Sequence, residues 1–310
     1  MTAESLTVGG TVRKRRGARE AHKAVEGGIQ VAFLLCGTLT VGFVLLISIY
    51  LILSGLPAIR QIGLADFLFG RVWDPTNATT GAEFGILPFI LTSIYGTAGA
   101  VVLGVPVGLL TAVYLAKIAP PKVAVAIRTA VQLLAGIPSV VYGLVGMIVL
   151  VPAIQRTFSL SSGACLLAAM IVLAIMILPS IINVAENALR AVPKEYEEAS
   201  LALGATKLET YFKVTLPAAG SGVAAAIVLG MGRAIGEAMA IIMVSGNVSN
   251  MPSIFAPVRF LTTGIVSGMG YAQVGSLYHQ ALFSIGLVLF LFIMLINVLL
   301  NVLIKKKGDA

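Results

Sequence analysis

Charge is scarce in this chain. Of 310 residues only 11% are Asp, Glu, Lys or Arg, against about 25% in a soluble globular domain, which excludes an ordinary soluble protein. Cysteine and histidine number two each. Cys36 and Cys165 lie within apolar runs without ligand-type neighbours, and His22 and His279 are isolated, so no disulfide framework or metal cluster is expected. There is no Gly-Lys dipeptide and therefore no phosphate-cradling G-x-x-x-x-G-K-S/T loop. The apolar runs carry no nucleophile–base pair, which argues against a membrane enzyme.

What is abundant is apolar surface: 58% hydrophobic residues and a mean hydropathy of +1.00. The apolar residues fall in runs of the length that crosses a bilayer. Six spans are expected, at about Ile29 to Ser54, Phe84 to Ala116, Arg128 to Ile154, Ala164 to Val184, Pro217 to Ser245 and Gln280 to Ile304. The first is too long for a signal-peptide core and lacks a small-residue cleavage pattern, so it is retained. The 33 glycines suit helices that approach closely in lipid. The chain reads as an all-α polytopic membrane protein. Residues 1–28 form a basic N-terminal segment, 29–304 the transmembrane domain with a loop at about 185–216, and 305–310 a basic tail.

The formal charge of +8 does not point to nucleic acid, because its placement is that of a topology signal. Six basic residues precede the first span, three lie at 117–128, four at 185–216 and three at the C-terminus. Only Arg60, Arg71, Arg156 and Arg259 fall in the opposite loops. The positive-inside rule then places both termini in the cytoplasm. Pro88, Pro106, Pro138 and Pro179 lie within spans, where each removes a backbone donor and frees a carbonyl that lipid cannot satisfy. Ordinary kinks and the lining of a polar path both remain open.

The loop after the fourth span is organised. Pro193 suits a first helical position, with Glu195, Glu197 and Glu198 where the helix dipole favours anions. Gly204 can end that helix in a left-handed conformation. Thr206-Lys207-Leu208-Glu209 reads as a capping box, and Leu208, Tyr211 and Phe212 follow on one apolar face. Two short capped helices on the cytoplasmic face suit a partner's groove. A bilayer-surface helix fits less well, because the first helix is acidic.

Glu198-Ala199-Ser200, three residues, Gly204, nine residues, then Val214-Thr215-Leu216-Pro217 resembles the EAA loop of ABC-importer permeases. That pattern ends in Ile-x-Leu-Pro, so Ser200 and Val214 depart slightly from it. The resemblance implies the type I permease fold and a coupling helix seated in a separate nucleotide-binding subunit. Glu198, Ala199, Gly204, Leu208, Tyr211, Phe212, Leu216 and Pro217 are the coupling positions. No cofactor is expected in this chain, ATP-Mg being held by the partner ATPase.

In the fifth span Gly232-Arg233-Ala234-Ile235-Gly236-Glu237 sets an arginine and a glutamate one turn apart. Each costs about 2.5–3.5 kcal/mol on insertion scales, while intrahelical pairing returns only about 0.2–0.5 kcal/mol, with Arg before Glu the poorer order. Helix stability does not explain the pair. An inter-subunit salt bridge and an anion contact remain open: the guanidinium fork suits an oxyanion, and Glu237 can accept a hydrogen bond from hydrogen phosphate. Gly232 and Gly236 form a G-x-x-x-G that admits another helix.

Phe84-Gly85-Ile86-Leu87-Pro88, Gly136-Ile137-Pro138-Ser139-Val140-Val141-Tyr142-Gly143 and the Gly-Arg-Ala-Ile-Gly-Glu run together resemble the PstC-type permeases of phosphate importers, over about residues 29–304. The resemblance implies a second, PstA-like permease subunit, two ATP-binding subunits and an extracytoplasmic phosphate-binding protein. It also implies phosphate passage at Arg233 and Glu237. A permease for sulfate or molybdate is the alternative. A gradient-driven secondary transporter would need several intramembrane acids, and Glu237 is the only one expected well inside a span.

Overall fold

The computed structural model describes residues 5–77 and 81–308, with side chains described for 26–77, 81–299 and 302. The basic side chains of residues 13–23 and 305–307 lie outside that description. The chain divides into two units, Met1–Leu53 and Ser54–Ala310. The first is helical and belongs to α1 (Ser5–Ile62), which carries the first apolar run. This helix outlasts the expected end at Ser54, continuing through Pro57 until Gly63, whose φ of 96° breaks it.

The second unit continues with α2 (Leu64–Phe69) and a hairpin of β1 (Trp73–Asp74) and β2 (Glu83–Phe84), Trp73 opposite Phe84. Then come α3 (Leu87–Val113), which runs on as a π-helical turn to Ile118, and α4 (Pro121–Gly136). The next helix, α5 (Ser139–Val145), passes through a π-helical turn into α6 (Val151–Thr157), followed by α7 (Leu166–Ala191). The loop helices are α8 (Lys194–Ala202), α9 (Lys207–Thr210), a π-helical turn Tyr211–Thr215 and α10 (Leu216–Ala218). The chain then forms α11 (Gly220–Gly236), α12 (Met239–Val244), α13 (Leu261–Met269) and α14 (Leu277–Gly308). Among the described residues five stretches are long and apolar enough to cross a bilayer: Glu26–Ile62, Leu87–Ile118, Ser139–Thr157, Leu166–Ala191 and Leu277–Leu299. The fifth expected span, Pro217 to Ser245, is broken: its first part belongs to a bent pair, Lys207–Ala218 with Gly220–Gly236, meeting at 73°. The architecture is all-α and polytopic.

The core runs along α7, whose Leu173, Ile177 and Ile181 are fully buried. Helix α3 lies parallel to it: a Cβ on Gly99, Gly104 or Gly108 would meet Met170, Ile177 or Ile181 in turn. Glycine thus sets the distance between the two helices. In Gly104→Val the new Cβ would sit 3.0 Å from Ile177 and 3.1 Å from the Ala174 carbonyl. Overpacking of that kind costs about 1–3 kcal/mol, so thermal unfolding of the purified protein should fall clearly below that of Gly220→Ala, where a Cβ meets nothing within 4 Å. Pro106 and Pro179 sit inside intact helices, and Pro88 lies in the first turn of α3. Of these four prolines, only Pro138 marks a break.

Candidate functional site

Two of the expected spans are interrupted, and the interruptions adjoin. Helix α4 ends at Gly136 and α5 begins at Ser139, with Ile137 extended. Pro138 explains this, since it lacks an N–H and drives the residue before it out of the helical region. The Tyr142 hydroxyl donates to the Leu134 carbonyl at 2.6 Å, satisfying an acceptor at the break.

The second break falls inside the Gly-Arg-Ala-Ile-Gly-Glu run. Helix α11 stops at Gly236, Glu237 is extended at φ −74°, ψ 132°, and α12 starts at Met239. Arg233 and Glu237 therefore do not share a continuous helix, and they form no ion pair among the described residues. Instead Glu237 Oε1 accepts the Ala240 N–H at 3.0 Å, capping the first turn of α12. The Glu237 carbonyl accepts the Thr262 hydroxyl at 2.7 Å, which fastens the break to α13.

Depth follows from packing. Helix α11 runs antiparallel to α7, Gly222 against Ala188 and Gly230 against Ile181 and Ile177. The next turn brings Arg233 level with the middle of α7. A Cβ on Gly143 of α5 would lie 2.9 Å from the Ala240 Cα, and Arg233 is within electrostatic reach of Tyr142. The two breaks thus meet at mid-span, where non-helical backbone persists only against protein or a water-filled cavity. Arg233 and Glu237 are half-buried there. Gly232 and Gly236 face open space, so no described part of this chain covers their G-x-x-x-G.

A second constellation occupies the end of the bundle where α7 finishes. Helix α8 starts after Pro193, and Gly204 takes φ +86° beyond its end. The capping box is formed: the Glu209 N–H donates to Thr206 Oγ1 at 3.3 Å, and the Thr206 N–H donates to Glu209 Oε2 at 3.1 Å. Leu208 (59%), Phe212 (43%) and Leu203 (90%) are exposed. Tyr211 departs from the expected common apolar face. It packs with Leu216 against a cluster containing Ala112 and Leu189, and its hydroxyl donates to the Lys117 carbonyl at 3.3 Å. Lys117 pairs with Glu197 at 2.5 Å, and Glu197 also accepts the Thr215 hydroxyl at 3.3 Å. The loop is thereby fastened to the end of α3.

Thr206→Ala removes the cap, at about 1 kcal/mol, and faster amide exchange across 206–215 is the expected readout. The Thr206 backbone N–H and then its hydroxyl, followed by Lys213, hold the Glu209 carboxyl below its ordinary value. A depressed carboxyl stabilises the loop above the ordinary glutamate pKa of about 4.3 and loses that contribution as pH falls through the lowered value. A site-resolved carboxyl titration should show Glu209 low in the wild type and returned towards ordinary in Thr206→Ala.

Behind the loop lies a buried acid that the expected span end at Val184 leaves in the loop. Helix α7 continues past Val184 and buries Glu186 (4% exposed). Arg128 of α4 reaches its Oε1 at 2.7 Å and Arg190 at 2.9 Å, the latter in the favourable Glu-before-Arg order. Both arginines also donate to the Leu115 carbonyl, at 3.4 and 3.0 Å, one of the carbonyls at the C-terminal end of α3 and its π-helical extension. The middle of α4 and the ends of α3 and α7 are joined around one carboxylate. Mutual neutralisation is what permits the acid inside the helix, and hydropathy alone does not reveal it.

Comparison with known proteins identifies the family and the fold. Residues 104–307 match the family described as binding-protein-dependent transport system inner membrane component. A probable ABC transporter permease, YqgH of Bacillus subtilis, is 40% identical over 271 residues, covering 85% of this chain and 87% of the relative. The phosphate transport system permease protein PstC of Pasteurella multocida is 35% identical over 265 residues, covering 78% and 81%. Among solved structures, an inward-facing conformation of the MetNI methionine ABC transporter is similar at a TM-score of 0.55 and 21% identity, covering 72% of this chain and 97% of that one, which bears on the fold alone. The chain belongs to the binding-protein-dependent transport system inner membrane component family, as a multi-pass, PstC-type permease subunit of an ABC importer.

Proposed function

We propose that this permease carries inorganic phosphate, and that Arg233 and Glu237 lie on its path. The observation that carries this is the pair of adjoining mid-span breaks with a half-buried guanidinium that has no carboxylate partner among the described residues. Broken helices at midplane are where membrane transporters bind charged cargo, and a guanidinium fork suits a tetrahedral oxyanion. Glu237 spends Oε1 on its own backbone, and Oε2 accepts no hydrogen bond among the described residues. That oxygen can take a proton-bearing phosphate oxygen, which sulfate does not offer near neutral pH. The PstC relative named above points to the same cargo.

ATP-Mg is bound and hydrolysed by two partner ATPase subunits. They dock on the 193–217 loop through exposed Leu208 and Phe212, with Glu198, Ala199, Gly204 and Pro217 shaping the helix they meet. Tyr211 and Leu216 act from inside, holding the loop to the bundle. The second permease subunit is a PstA-like partner, phosphate is delivered by an extracytoplasmic binding protein, and both termini of this chain are cytoplasmic. Residues 1–28 and 305–310 are its basic flanks and 29–304 the transmembrane domain. Labelled phosphate uptake should be unaffected by a large excess of sulfate or molybdate. Inhibition by either would assign the path to that oxyanion instead.

A further inference from the structure

The loop joining α12 to α13 lies at the other end of α7 from the 193–217 segment. The Cys165 N–H donates to the Val244 carbonyl, and the Leu166 and Leu167 N–H groups to Ala256 and Ile254, so this loop caps the start of α7. The 26 residues of α7 at about 1.5 Å each set the two ends about 39 Å apart. In this loop Arg259 is half-buried and lines a cavity of about 520 Å³ together with Trp73, Ser249, Tyr271 and Tyr278.

The guanidinium is held at one edge and one face. The Asn247 carbonyl accepts from Nε at 3.0 Å and Nη2 at 2.7 Å, and its side-chain oxygen from Nε at 3.1 Å. Asn247 does this from φ +51°, a left-handed conformation that asparagine tolerates better than most residues. The Phe89 ring lies 5.7 Å from the guanidinium carbon. Nη1 makes no hydrogen bond, and Arg259 no ion pair, among the described residues. Burial pushes the guanidinium below its ordinary value, yet an arginine stays charged throughout the accessible pH range.

Among the described residues no carboxylate lines this cavity. Asp74, adjacent in sequence to Trp73, turns its Oδ1 to the Thr76 amide and hydroxyl at 3.4 and 3.3 Å. The other polar side chains on the lining are neutral: the Asn247 amide and the hydroxyls of Thr76, Ser249, Tyr271 and Tyr278. The cavity of about 470 Å³ beside Gln61 is different, since Asp66 and Glu83 line it with Arg71. A fixed cation with a free edge, ringed by hydroxyls and no acids, is an anion receptor.

We propose that Arg259 and the cavity above it form a second oxyanion site, which receives a free inorganic oxyanion before it reaches Arg233. Thr262, three residues on, holds the Glu237 carbonyl, so the receiving site and the mid-span break share one segment. The site rests on the oxyanion cargo proposed above.

Trp73 is the chain's one tryptophan and lines the cavity, so its emission reports occupancy. Titration of the full chain in lipid-free maltoside micelles with inorganic phosphate should give a saturable change that equal chloride does not. Arg259→Gln should abolish it. Ser249→Ala should weaken it about tenfold, as expected for one hydrogen bond to a charged group. A saturable response to sulfate or molybdate but not phosphate leaves this site standing and overturns phosphate as the cargo. A flat wild-type titration, a response unchanged in Arg259→Gln, or a response to phosphatidylglycerol but to no inorganic oxyanion overturns the site. Should Arg259→Gln fail to elute as a folded species, unchanged affinity in Ser249→Ala overturns it.

Discussion

Arg233→Gln is expected to abolish phosphate uptake while the permease still assembles with its partners. The guanidinium is half-buried, level with the middle of α7, and forms no ion pair among the described residues. Its charge is therefore free to meet a passing anion. Removing one member of a desolvated charge pair costs about 2–5 kcal/mol, a fall of about 30- to 5,000-fold in whatever step that pair supports. Glutamine keeps the length and some donors but neither the charge nor the planar fork. Glu237→Gln separates two roles of its residue. The amide oxygen can still cap α12 at the Ala240 N–H, so the break is retained while the carboxylate is lost from the path. Loss of subunit assembly in Arg233→Gln would instead identify Arg233 as an inter-subunit bridge, the reading that the open Gly232–Gly236 face also allows.

The second large effect is at Glu186. Glu186→Ala leaves Arg128 and Arg190 side by side with only the Leu115 carbonyl as a shared acceptor. Deleting one partner of a buried ion pair costs about 3–5 kcal/mol. The lower end is expected here, since the Arg128 and Arg190 side chains are 31% and 46% exposed and water can compensate in part. The thermal midpoint of the assembled complex reads this directly. Replacing all three, with Glu186→Leu, Arg128→Met and Arg190→Met, should restore most of the stability, because well-packed apolar side chains substitute for a buried ionic cluster at little cost. Uptake distinguishes fold from transmission. The cluster joins the middle of α4 to the ends of α3 and α7, and Lys117 fastens the 193–217 loop to the same end of α3. Motion of the loop is expected to reach the spans through this junction, so the triple variant should regain stability and not transport.

Much of this was legible before any coordinates. Long apolar runs dictate spans in any fold, and the capping box and Gly204 rest on local backbone chemistry that tertiary packing leaves alone. The site was legible in its residues but not in its geometry. Spacing places Arg233 and Glu237 a turn apart, and only the competition of the Glu237 carboxylate for the Ala240 N–H shows that the helix ends between them. Pro138 announced its break locally, since proline restricts the residue before it, whereas Pro106 and Pro179 are carried inside continuous helices. Glu186 escaped notice because hydropathy ends a span at the first charge, whereas the fold buries a carboxylate whenever two guanidinium groups converge on it. Tyr211 likewise shares helical spacing with Leu208 and Phe212, and the π-helical turn at Tyr211–Thr215 shifts the face that spacing predicts.

Transport by this permease is expected to run on ATP hydrolysed by another subunit. The most direct test is labelled phosphate uptake by proteoliposomes containing the assembled complex. ATP is supplied on the side of the 193–217 loop, or withheld while a proton or sodium gradient is imposed. Uptake with ATP and none with the gradient alone is the predicted result; accumulation driven by the gradient without ATP would contradict it.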